Sequence, residues 1–143
     1  MLEAKLRSSN RRNYYKLKLW PTQDDYEIAA KVEGADSRAV CLTETTVDDE
    51  GNVVLRPKLG EIHFVSGTWD VNTVAHECTH AVLHRLRYCE PGPRAVLDEF
   101  AEDYDQEDEE VIAYEAGDWV EAVLCWLTNN DPASPYPKNV FNV

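Results

Sequence analysis

No apolar run in this 143-residue chain approaches the roughly 20 residues that a bilayer crossing needs. The opening Met1-Leu2-Glu3-Ala4-Lys5 lacks the apolar core of a secretory signal. The chain is therefore expected to work in the cytoplasm, away from membranes. Its cysteines, Cys41, Cys78, Cys89 and Cys125, show no CxxC spacing. That argues against a cysteine-built structural zinc site and fits reduced thiols acting as small core residues. Basic residues are scarce as well, 14 Lys and Arg against 27 Asp and Glu, for a formal charge of -13. A surface so acidic repels nucleic acid, and no nucleic-acid partner is expected. The exception is the start of the chain, where Lys5, Arg7, Arg11 and Arg12 make residues 1–12 a basic arm, expected to be solvated and mobile. The length suits one domain, placed at 13–130, with a tail over 131–143.

Tyr14-Tyr15-Lys16-Leu17-Lys18-Leu19-Trp20 alternates apolar and basic residues, predicting a half-buried strand that ends at Pro21. Thr22 suits the cap of a short helix from Gln23 to about Val32, closed by Gly34. Arg38 to Val47 and Asn52 to Arg56 flank a turn and read as a β-hairpin. After a turn at Pro57-Lys58-Leu59-Gly60, Glu61-Ile62-His63-Phe64-Val65 reads as a third strand of that meander, with Ile62 and Phe64 on one face and His63 on the other. Asp70 or Asn72 then caps a helix running to about Arg87, before Pro91-Gly92-Pro93. A second amphipathic helix is predicted from Glu109 to about Asn129.

The first of these two helices carries the chemistry. His76-Glu77-Cys78-Thr79-His80 is an HExxH motif, and positions four apart on a helix share a face, so both imidazoles can reach one metal ion. Glu77 is placed to act as general base on a zinc-bound water. His84 stands one turn further on, but each four-residue step drifts by about 40°, which points it away from the pair.

Catalytic zinc takes three protein ligands. Leu83 and Leu86 occupy the Gly and His positions of the longer metzincin motif, which excludes that class. Val40-Cys41-Leu42 only faintly echoes the cysteine-bearing strand of a deformylase. What remains is a carboxylate on the following helix. Glu110 is the first candidate, because Ala113 and Gly117 allow close helix approach, and Glu109 and Glu115 are alternatives.

His76-Glu77-x-x-His80 with Glu110-x-x-Ala113, Tyr114 and Gly117 resembles the minimal gluzincins, in particular ImmA/IrrE-type metallopeptidases and the small HExxH proteins of phage genomes. The likeness covers about half the chain. It departs at Tyr114, where Asn is expected, and in lacking an attached DNA-binding domain. The resemblance implies an α+β minimal zincin core, in which a small, mostly antiparallel sheet packs on the HExxH helix and the C-terminal helix. It also implies Zn²⁺ held by His76, His80 and Glu110, Glu77 as base, and a peptide or protein substrate, in the host cytoplasm if phage-encoded. Tyr114 or His63 is a candidate to stabilise the oxyanion, and the edge of Ile62–Val65 to carry an extended peptide. The acidic run Asp98–Asp108 is expected to be a mobile flap gating the site in favour of basic peptides. The competing expectation is a non-catalytic zinc-containing binding protein, such as a phage-encoded inhibitor.

Overall fold

The computed structural model describes residues 1–7, 12–31, 39–44, 46–54, 56–89 and 106–141. Its order is β1 (Leu2–Arg7), β2 (Tyr14–Trp20), α1 (Gln23–Ala30), β3 (Ala39–Thr43), β4 (Thr46–Val47), β5 (Val53–Val54), β6 (Lys58–Val65), α2 (Val71–Cys89) and α3 (Gln106–Asn130). Four strands form a mixed sheet in the order β1-β2-β6-β3, and three helices pack on it. Of its three pairings, β1 with β2 and β3 with β6 are antiparallel, whereas β2 runs parallel to β6. No helix among the described residues is long and apolar enough to cross a membrane.

Alternation along β2 sends Tyr15, Leu17 and Leu19 to one face, where they join Ile62 and Phe64 of β6 beneath α2 and α3. The opposite face is covered by α1. There Tyr26 and Ala30 bury Val65, and Trp20 stacks on His63 with ring centroids 6.0 Å apart. With both faces and both edges occupied, β6 is the central strand of the core.

Several expectations are corrected. Leu2–Arg7 is not a mobile arm but an edge strand, since Leu6 is buried and Glu3 bridges to Lys16 at 3.1 Å. β3 pairs with β6 rather than folding back as a hairpin, because its apolar side chains are covered on both faces there. Only β4 and β5 form the small ribbon, its tip held by Asp48, whose Oδ1 accepts from the Glu50 and Asn52 amides at 2.9 Å. Residues 58–60 belong to β6 instead of a turn, and Gly60 is needed because a β-carbon would run into the Leu42 carbonyl. Thr22 caps α1 through the Asp25 amide, as expected, but the helix stops at Ala30, with Lys31 left-handed at φ 55°. Gly34 and Pro91-Gly92-Pro93 lie outside the described residues.

The tail is tied into the core. Asp131, buried at the end of α3, accepts from Ser66 Oγ at 2.5 Å, the Gly67 amide at 2.9 Å, Trp69 Nε1 at 2.8 Å and the Ala133 amide at 2.9 Å. Tyr136 packs on Trp69 at 5.7 Å. Burial alone would raise the Asp131 pKa, but these donors outweigh it and hold the carboxyl below the usual range. The contribution is therefore present above the ordinary carboxylate pKa and lost as pH falls through the lower folded value. Asp131→Ala should cost about 2–4 kcal/mol in urea denaturation at pH 7, since buried donors lose a charged acceptor.

His63 works in the other direction. The Trp20 indole Nε1 can only donate, so His63 Nδ1 accepts at 2.8 Å and Nε2–H donates to Glu61 Oε1 at 3.0 Å. Burial lowers the His63 pKa, Glu61 opposes that shift, and Lys18 and Lys58 add to it. The folded state thus favours the neutral ring, whereas the unfolded chain binds a proton near the ordinary histidine value of about 6.5. Stability should decline as pH drops below that value. Denaturation midpoints between pH 7 and 5 should show this slope in the parent and a shallower one in His63→Gln.

Candidate metal centre

α2 begins where Asp70 Oδ1 accepts the Thr73 amide at 2.7 Å, and Val74, Cys78, Ala81, Val82 and Leu86 anchor it to the core. The opposite side carries His76 and His80. Their rings meet edge-on, and the two Nε2 atoms are 3.2 Å apart. Two imidazole nitrogens bound to one tetrahedral zinc at about 2.0–2.1 Å stand roughly 3.3–3.4 Å apart. The two nitrogens thus stand close to the separation needed for both to bind one metal ion at a point between them.

Glu77 turns inward between that point and the sheet. Its Oε1 is 3.9 Å from His76 Nε2, and the residue is only 7% exposed. Burial raises its pKa, while the two imidazoles and the Cys41 amide act against the rise. An open cleft of ≈ 550 Å³ lies between α2 and β3, with Val40, Cys41 and Thr43 on one wall and the two histidines and Glu77 on the other. Burial pushes the Cys41 thiol up to about 12, with the Glu77 charge adding to it, so Cys41 stands there as a protonated thiol.

The other candidates are distributed differently. His84 also lines the cleft, but its Nδ1 is 2.5 Å from Tyr15 Oη, which reaches the Ala81 carbonyl as well, so the ring is held by the sheet. His63 faces α1 across the sheet and cannot reach the cleft. Tyr114 is exposed on α3 and borders a separate groove with Leu6 and Trp119, which removes it as an oxyanion donor. Glu109 and Glu110 are exposed on the first turns of α3, and neither lines the cleft. Among the described residues, no three His, Cys, Asp or Glu side chains converge as a metal cluster. Asp98–Asp105, most of the expected flap, lies outside the described residues, and residues 106–108 already belong to α3.

Glu115 has another role. It is buried and pairs with Arg85, which leaves α2 about 140° around the axis from His80. This pair, together with Trp119 and Val123 in the core, sets how α3 lies on α2. Glu110, five residues before Glu115, consequently projects from another side of α3. Arg85 was not singled out by sequence reasoning. Its signal was a lone charge in phase with the apolar Cys78, Ala81 and Val82.

Comparison with protein-family models, with curated proteins and with solved structures found no match for this chain.

Truncating one partner of a buried ion pair strands the other charge, whereas replacing both with apolar residues does not. Arg85→Ala should therefore cost about 3–5 kcal/mol, and Arg85→Met combined with Glu115→Leu much less. Urea midpoints of Arg85→Ala and of the double variant read the difference directly.

Proposed function

We propose that the chain is a zinc-dependent hydrolase of peptide bonds, of the gluzincin type, acting in the cytoplasm on a peptide or protein. The observation that carries this reading is the 3.2 Å approach of the His76 and His80 Nε2 atoms beside a buried Glu77 carboxylate on an open cleft. These residues fit zinc as two nitrogen donors and a neighbouring base, and we read the α+β arrangement of sheet, HExxH helix and C-terminal helix as a minimal zincin core. Zinc bound there supplies Lewis acidity, which polarises a carbonyl and lowers the pKa of water. The third donor is proposed to be a carboxylate from the start of α3, Glu110 first and Glu109 next, although neither lines the cleft in this structure; Glu115 is held by Arg85.

Glu77 takes a proton from the attacking water and returns it to the leaving amine. Its desolvation favours this, because a carboxylate in water is too weak a base near neutral pH. The substrate's backbone is proposed to lie along β3. Ile62–Val65 cannot offer an edge, because β6 is paired on both sides, whereas among the described residues β3 ends the sheet and forms a wall of the cleft.

One observation favours the second reading, a zinc-containing protein that binds without catalysis. Only two metal donors converge among the described residues. Glu77→Gln separates the two readings. A peptidase retains zinc and fold in this variant and loses turnover by about two to four orders of magnitude, the share owed to a general base. A binding protein keeps its cellular effect in Glu77→Gln and loses it only in His76→Ala. In the same preparations, Glu110→Ala should weaken zinc retention, while Arg85→Met combined with Glu115→Leu, which removes Glu115 without stranding a buried charge, should not.

A further inference from the structure

β1 ends the sheet opposite the cleft, and among the described residues no strand pairs with its outer edge. Such an edge exposes unpaired amides and carbonyls, and proteins usually guard it with charge. The charges here are ordered differently. Leu2, Ala4 and Leu6 point to the helical face, where Leu6 is buried and Ala4 packs on the core. Glu3, Lys5 and Arg7 point to the other face, and Glu3 bridges to Lys16 and Lys18. Lys5 lies over the Tyr14 ring at 4.6 Å and has no carboxylate partner among the described residues.

We infer that two copies of this chain associate through β1, edge to edge and antiparallel, with Ala4 facing Ala4 across a twofold axis. The register follows from elimination. A twofold perpendicular to the sheet keeps the helices of both copies on one side, and it pairs only residues that share a face. Centring on Glu3 sets two carboxylates against each other, and centring on Lys5 sets two ammonium groups together. Like charges directly opposite are destabilising. Centring on Ala4 instead sets Glu3 against Lys5 of the second copy, twice, and Leu2 against Leu6, twice.

That register also fills a groove. Leu2 is 44% exposed, and Leu6 borders a groove of ≈ 470 Å³ whose floor of Val111, Trp119 and Ala122 is rimmed by the charged Lys5, Arg7, Glu115 and Asp118. Directly opposite residues bring their β-carbons to about 4.5–5.5 Å. Leu2 of one copy would therefore reach the groove beside Leu6 of the other. The six-residue edge gives an interface at the small end of the range, below about 1,200 Å², which is typical of weak, reversible association.

Sedimentation of the full chain from about 10 to about 500 µM should show a reversible monomer–dimer equilibrium. Lys5→Glu places like charges across the interface and should weaken it at least about tenfold, as should Leu2→Asp, which removes the apolar plug. Both positions are exposed, so far-UV circular dichroism should not change. Under mild oxidation Ala4→Cys should yield a covalent dimer that neither the parent nor Glu3→Cys forms. A chain that stays monomeric throughout, or a dimer that either substitution leaves intact, overturns the inference.

Discussion

Four donors converge on one buried carboxylate, and the placement of the HExxH helix depends on them. Asp131 at the end of α3 gathers Ser66, Gly67, Trp69 and Ala133, so the turn that launches α2 is tied to the far end of the helix that packs beside it. A buried carboxylate without partners would be costly. Here the hydrogen bonds more than offset desolvation, as the lowered Asp131 pKa indicates. The Arg85–Glu115 pair makes a second tie between the same helices, and the core residues between the two ties define how α2 lies on the sheet. One side of α2 is consequently buried, and the histidines have only the cleft to face.

At Glu77 the balance is reversed. Its carboxylate also loses water, but it has only one amide donor and two nearby imidazoles to compensate, and its pKa ends above the ordinary value. Asp131 and Glu77 thus form an instructive contrast. Saturating a buried carboxylate with donors makes it a structural fixture and a poor base, whereas leaving it undersupplied keeps its proton affinity for chemistry. Glu61 belongs with Asp131. Burial would raise it, yet hydrogen bonds from Lys58, His63 and Lys18 bring it down to about 2.

Features encoded within one or two helical turns were legible in the sequence. The four-residue spacing of His76 and His80, the caps Thr22 and Asp70, and the alternation of Tyr14–Trp20 all have local physical causes, and the structure has each of them. Pairing partners were not legible. Nothing in Ala39–Thr43 indicates that it joins β6 instead of folding back, since that depends on which side chains cover its faces. Leu2–Arg7 did alternate, but its charges resembled those of a solvated arm until Lys16 and Lys18 on β2 supplied their complement. Arg85 and Glu115 are 30 residues apart, and Asp131 is 62 from Trp69, so both interactions exist only once the chain has closed. The proposed third metal donor belongs to the same category, because α3's phase is decided by its packing and not by the spacing of its acids.

The account rests on one metal held by two imidazoles of α2 and a carboxylate. Zinc K-edge X-ray absorption on the purified full chain reads that ligand set directly. The account predicts about one equivalent of zinc with only nitrogen and oxygen neighbours near 2.0–2.1 Å and an imidazole scattering pattern for two rings. Protein that retains no zinc after zinc-supplemented expression would contradict it. So would a sulfur neighbour near about 2.3 Å, which would assign the third position to a cysteine.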